Sequence, residues 1–400
     1  MSAEESAYRE KLRGWLAENC EPIKEDSGFA TQHWMPSDEE QAAHHTRSQT
    51  MQKKLFAAGY IGITWPVEAG GQGGEAWMQK AFREESASWN VMTGFYGSII
   101  AMAAPAVLSF GTPEQISTHL PSLLSGEVSW CQLFSEPGAG SDLAALGCKA
   151  ERDGDEYVVT GQKVWNSAAM YADMGILLVR TDPDAPKHSG VSFLLVDMNQ
   201  PGVEVRPLIQ ANGGGHFAEV FFDEARVPVA NLVGDENDGW KVGRAVLGAE
   251  AQMIGGSKSN TSEKLIELAR ELGHSNDPVI RQDLARIVTR EKILGWMGAS
   301  IASAMRERRK PIDGSVVKLY VAKNRRHEGT LATKLLGAGA TAESHHASAW
   351  AMELLHMRYS ISIGGGTDEV HHNNLGERAL GLPREPGYDK NQPWKDIPKS

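Results

Sequence analysis

Four hundred residues exceed what one hydrophobic core organises, so two or three domains are expected. A net charge of −11 argues against nucleic acid as a main partner, because phosphate binding needs a basic surface. Cys20, Cys131 and Cys148 are odd in number and widely spaced, which excludes a disulfide framework and a zinc spacing; with no apolar run of about 18 residues and an acidic start, the expectation is a cytoplasmic protein with no membrane span.

In chain order, residues 1 to about 125 read as helices. Tyr8, Leu12, Trp15 and Leu16 recur at helical spacing, as do Met51, Leu55 and Ala58 ahead of Gly59 as a stop. Trp65-Pro66 to Gly73-Gly74 is a loop, and one helical block is predicted from about Trp77 to Phe110. Thr112 caps the next helix, with Pro113 in its first turn. From Val128 the pattern turns to short β-branched or aromatic runs: 156–160, 175–180, 191–196, 203–206 and 218–222. Close spacing of such strands predicts a small sandwich or barrel. After Gly234 helical stripes return, at Leu265 to Leu272, Leu284 to Leu294 and Leu331 to Leu336. The tail from Gly381 to Gly387 is expected to be extended, on a surface or subunit contact. The fold class is α+β multidomain: a helical domain over 1–126, a β domain over 127–233, and a C-terminal four-helix bundle with tail over 234–400.

Three stretches could carry chemistry. Phe134-Ser-Glu-Pro-Gly-Ala-Gly-Ser-Asp142 ends an apolar run and offers glycines through which a backbone can approach a flat or phosphorylated ligand; a plain Gly-rich turn would also account for it. Gly161-Gln-Lys-Val-Trp165-Asn-Ser167 has a strand deliver an indole, able to cover a heteroaromatic ring, and then a hydroxyl; a core tryptophan is the plainer alternative. Ile361-Ser-Ile-Gly364-Gly365-Gly366-Thr367-Asp368-Glu369 breaks one helix and opens another, leaving N–H groups for an anion or a carbonyl oxygen, or forming an ordinary helix–helix turn.

Together, in this order and spacing over about residues 50 to 385, these stretches resemble the acyl-CoA dehydrogenase family of flavoproteins. The Trp65-Pro66 loop with Gly70-Gly71 is similar to its N-terminal domain loop. The resemblance implies FAD between the domains and removal of an α proton and a β hydride from an acyl-CoA thioester to give a 2-enoyl-CoA. An electron-transferring flavoprotein would then reoxidise the flavin. It implies that Phe134, Ser135 and Gly140 meet the flavin, that Trp165 covers the ring and that Ser167 faces N5. It places Gly337, Thr367 and Glu369 at FAD, Thr367 near the diphosphate, and Ser141 near the pantetheine arm, with Arg244 as a further substrate residue. The N–H of Gly365 would polarise the thioester oxygen. A homo-oligomer (dimer or tetramer) or a heteromer with a related subunit is implied as well.

Many members carry the base glutamate directly before the Gly-Thr of the second signature, where this chain has Gly365. The alternative place is a C-terminal helix. Leu247-Gly-Ala-Glu250, ahead of Gly255-Gly256, resembles that helix, so Glu250 is the expected base and Glu369 its rival. The Glu136/Asp142 pair is expected to serve the turn rather than acid–base work. The Arg-x-x-Phe-Gly segment of the family has no clear counterpart in 270–280, and a later Gly-rich element is reduced to Gly337-Ala-Gly339, which puts cofactor clamping across subunits in doubt. Asp277 to Gln282 and Gly376 to Pro386 resemble bacterial members acting on steroid side chains or other bulky acyl groups, some of them paired unlike subunits. The alternatives are a non-catalytic subunit of a heteromeric dehydrogenase and a same-fold oxidase. No metal is expected, since adjacent histidines such as His44-His45, His345-His346 and His371-His372 diverge by about 100° in a helix. The basic run from Arg306 to Lys310 is expected to be a solvated helix end.

Overall fold

The computed structural model describes residues 2–23, 28–29, 31, 38–254, 260–384 and 391–397, with no side chains described for 251–254. The first region holds α1 (Ala3–Asn19), β1 (Glu21–Pro22), α2 (Asp38–Ala57), α3 (Ala76–Glu85), β2 (Trp89–Asn90), α4 (Gly94–Phe110) and α5 (Pro113–Ser125). The single block expected over 77–110 is broken at 86–93. Ser86, Ser88, Asn90 and Thr93 are residue types of low helix preference, and Trp89–Asn90 pairs instead with Glu21–Pro22. Thr112 caps α5 as expected, in a reciprocal box with Gln115 (3.2 and 3.0 Å).

The middle of the chain forms β3 (Trp130–Leu133), β4 (Lys149–Asp153), β5 (Glu156–Ser167), β6 (Met174–Arg180), β7 (Val191–Asp197), β8 (Val203–Leu208) and β9 (Phe217–Pro228) in one curled sheet. β7 runs antiparallel along one edge of β6. The other edge takes β3 in parallel and then β4, and the sheet continues through β5, β9 and β8. β6 and β7 are buried on both faces, so their sequences are continuous apolar runs. One face packs on Val107, Leu120, Val242 and Val246 from α4, α5 and α6. The other closes over Tyr157, Leu194, Val220 and Phe222, a core the sheet makes with itself. β4 was not anticipated: of Lys149-Ala-Glu-Arg-Asp153 only Ala150 is buried, so the strand shows no apolar signal.

The remaining chain is helical: α6 (Gly239–Ile254), α7 (Thr261–Glu271), α8 (Pro278–Arg306), α9 (Gly314–Leu336), α10 (Ser348–Met357), α11 (Ser360–Ile363) and α12 (Asp368–Asn374). α6 starts hard against β7. A Cβ at Gly239 would lie 2.4 Å from the backbone at Ser192 and Phe193, so only glycine allows this approach. The pair Gly255-Gly256 and tail residues 385–387, both used above, lie outside the described residues.

Candidate active site

The first signature is a tight hairpin, with Glu136 and Ala139 exchanging both backbone hydrogen bonds (3.1 and 3.0 Å). It is pinned from beneath by Lys163 of β5, a fully buried side chain whose Nζ donates to the Phe134 carbonyl (2.9 Å) and pairs with Glu136 (2.7 Å). Glu136 also accepts from the N–H groups of Gly147 (2.7 Å) and Cys148 (2.9 Å). A buried lysine is tolerable only when paired and hydrogen-bonded, and this one is. Asp142 pairs with Lys187 at the surface. Both carboxylates are thus engaged in holding the loop. The Phe134 ring packs edge-on against Phe193 in the core, so a ligand contact at 134 falls to its backbone. A Cβ at Gly138 or Gly140 would meet nothing within 4 Å, and Gly140 and Ser141 are exposed.

β5 then loses register with β9 between Lys163 and Asn166. Within that bulge the Val164 N–H turns to the Ser135 carbonyl (2.9 Å), tying the strand to the first signature. Trp165 takes φ +63°, rare for a bulky residue, and its indole stands 60% exposed with an edge contact to Phe217. A strained backbone that presents an aromatic face to solvent suits a ring-covering role. The next residue, Asn166, is buried and donates to the Gln132 carbonyl of β3 (2.8 Å), while its Oδ1 has no protein partner among the described residues. Ser167 ends the strand, half-buried.

Gln132 connects this frame to Glu250. α6 buries Val242 and Val246 against the sheet, and Glu250 follows one turn later on that face. Burial pushes the Glu250 carboxyl up from its ordinary value, and a hydrogen bond from the Gln132 side chain partly offsets this. Arg244 lies on the exposed side of α6, with Lys241 and Gly248.

The third stretch leaves α11 through Gly365 (φ +67°) and Gly366 (φ +88°). His371 Nε2 donates to the Gly365 carbonyl (2.9 Å), and Lys318 of α9 donates to that of Gly366. Thr367 caps α12 through Val370 (3.3 Å), and Asp368 is paired with Lys318 and Arg326. Two buried polar atoms at this break, Ser362 Oγ and His371 Nδ1, have no partner among the described residues. Glu369 is exposed. Gly337 closes α9 at φ 54°, ψ −133°, a backbone shape that by itself calls for glycine.

His44-His45 and His371-His372 lie on helices, in α2 and α12, and one pair departs from the helical expectation. His345 and His346 lie in a turn before α10, and both reach Glu271 (3.2 and 3.4 Å). His345 Nδ1 accepts from the Ala347 N–H (3.1 Å), so in the neutral ring Nε2 carries the proton. A metal would need that lone pair, and the arrangement fits a hydrogen bond to Glu271 instead.

Comparison with known proteins adds independent evidence. Acyl-CoA dehydrogenase N-terminal, middle and C-terminal domain descriptions match residues 2–127, 131–225 and 237–380 respectively. The chain belongs to the acyl-CoA dehydrogenase family. It is 37% identical to the acyl-CoA dehydrogenase IpdE1 of Mycobacterium tuberculosis, over 94% of this chain and 98% of that one. It is 34% identical to the acyl-CoA dehydrogenase FadE26 of the same organism, over 82% and 86%. Among solved structures, the Tcur3481-Tcur3483 steroid acyl-CoA dehydrogenase superposes with a TM-score of 0.75 at 28% identity, over 96% of this chain and 99% of that one. The ChsE4-ChsE5 complex of M. tuberculosis superposes at 0.70, also with 28% identity, over 96% and 99%. Acyl-CoA dehydrogenases are oxidoreductases that generally use FAD.

Within this acyl-CoA dehydrogenase frame, Lys163, Gln132 and His371 are the site-supporting residues that sequence reasoning missed. For Gln132 a signal exists: it is a polar interruption in a short run of otherwise buried strand. His371 lies six residues after Gly365, but nothing in the residue pattern shows its ring turning back onto that carbonyl.

Proposed function

We propose that this chain dehydrogenates an acyl-CoA thioester between its α and β carbons, with Glu250 as the base. The observation that carries the reading is the hydrogen-bonded chain from Glu250 through Gln132 to Asn166, which links a half-buried carboxylate to the bulge that displays Trp165. An α C–H next to a thioester is too weak an acid to ionise unaided, so the reaction needs a carboxylate of raised basicity and donors on the thioester oxygen. Burial supplies the first. The N–H of Gly365 supplies the second, on a turn whose two carbonyls are already committed to His371 and Lys318.

Bound FAD supplies the acceptor for the electrons that leave the β carbon, and an electron-transferring flavoprotein takes them onward. Ser135, Gly140, Trp165, Ser167, Thr367, Glu369 and Gly337, with the Phe134 backbone, are the residues that would hold FAD. The open space above Gly138 and Gly140 and the unpartnered Asn166 Oδ1, Ser362 Oγ and His371 Nδ1 fit a polar ligand of that size. Ser141 and Arg244 are assigned to the CoA thioester. Bulky acyl groups are the expected substrates, in keeping with the likeness to a steroid acyl-CoA dehydrogenase. Anaerobic bleaching of the yellow protein by a panel of acyl-CoAs, steroid thioesters included, tests the reading. Bleaching by one panel member and none with Glu250→Gln is expected, and wild-type bleaching by Glu250→Gln would overturn the base.

A second reading is a subunit of a heteromer. Gly365 in place of a glutamate and the likeness to the ChsE4-ChsE5 complex favour it. Protein that stays colourless with added FAD until a related subunit is supplied would establish that arrangement.

A further inference from the structure

The described C-terminal segment, residues 391–397, lies on the β domain. Pro393 bridges to Pro186. The Trp394 N–H donates to the Ala185 carbonyl (2.9 Å), the Lys395 N–H donates to that of Pro183 (3.0 Å), and Lys395 pairs with Asp184. The indole Nε1 of Trp394 reaches back 249 residues in sequence to the Ala145 carbonyl (3.1 Å). Its ring lies 4.8 Å from the Arg180 guanidinium, and a Cβ at Gly147 would be only 3.4 Å from it.

What the indole covers is the loop that follows the first signature. Arg180, buried at the end of β6, donates to the carbonyls of Ala144 (2.6 Å) and Lys187 (2.9 Å), and Lys187 in turn holds Asp142. Residues 142–147 are thus held from inside by Arg180 and Glu136 and from outside by Trp394. An arginine taken out of water is kept in place by hydrogen bonds and by an aromatic face, and Trp394 supplies the face. Without the indole the Ala145 carbonyl loses its donor and the guanidinium is opened to water.

We propose that Trp394 is a positioning residue that fixes the 141–147 loop, and through it Ser141, for the CoA arm of the substrate. The inference rests on the acyl-CoA reading above. The test uses full-length holoprotein, with Trp394→Ala and Trp394→Phe, which keeps a ring but not the donor. Michaelis parameters are measured with the acyl-CoA that bleaches the wild type, and amide hydrogen exchange is followed over 142–148. KM should rise about fivefold in Trp394→Ala and about twofold in Trp394→Phe, with kcat changed less than about twofold. Exchange over 142–148 should speed up in Trp394→Ala while α4 stays protected. An unchanged KM, or a fall in kcat alone, would overturn the proposal. If no acyl-CoA bleaches the wild type, the functional reading fails on its own; unchanged exchange over 142–148 would then overturn the strap, and faster exchange would support it.

Discussion

As the proposed base, Glu250 combines two demands that pull apart. A base acting near neutral pH needs a raised pKa, and burial provides it at a cost to the folded state. A carboxyl whose pKa is higher folded than unfolded loses stability as pH rises through the window between the ordinary glutamate value and the raised one. Glu250→Gln removes that cost, so its thermal midpoint at neutral pH should be equal to or above the wild type's while flavin reduction slows about a thousandfold. Scanning calorimetry and anaerobic stopped flow check the two halves separately, and a lowered midpoint would refute the first. Gln132 tunes the same group. Its hydrogen bond favours the charged form, so Gln132→Leu should raise the Glu250 pKa further and move the acid limb of kcat/KM to higher pH. An acid limb that moves down would contradict the assigned direction.

At the scale of elements, the first signature and β5 are joined by a buried ion pair, and the bulge depends on that junction. Removing one partner leaves the other charged and buried, which costs about 3 kcal/mol, whereas replacing both by apolar residues can be nearly neutral. Lys163→Met and Glu136→Leu should therefore each lower the thermal midpoint more than the double variant does. Additive losses in the double variant would show that the pair is not a unit. The bulge at Trp165 follows from the same junction: once Val164 bonds to Ser135, β5 cannot keep register with β9.

At the scale of the whole molecule, among the described residues the second half of α8 leaves large apolar side chains exposed. Past the Leu284 to Leu294 stripe, Trp296 is 68% and Met305 65% exposed. Nine residues apart, these two side chains lie on opposite faces of the helix, and an indole left in water on one of them is a sign of a partner. Sedimentation of the purified chain should give a dimer or larger, and Trp296→Glu should lower its mass. A wild-type monomer that assembles only with a related subunit would favour the heteromer, and a monomer under both conditions would refute the interface. Among the described residues no helix is long and apolar enough to cross a membrane.

Periodicity and capping chemistry were enough to place the helices, five of the seven strands of the central sheet and the three signature stretches, because each is a local property of apolar spacing, glycine and proline. Glu250 came from the likeness of the residues around it to the family's C-terminal helix, and its role as base is a proposal. The break at 86–93, the charged strand β4 and the turn that joins His345 and His346 to Glu271 were not, since pairing with distant segments overrides local preference there. The same holds for the frame of the site. Lys163 under the Phe134 carbonyl, Gln132 against Glu250, His371 on Gly365 and Trp394 across the 142–147 loop are contacts between residues 6 to 249 positions apart. Sequence by itself determined which residue types were available for flavin and acyl chemistry. Tertiary structure decided which of them are desolvated, strained or held, because those depend on what the folded chain lays against each one.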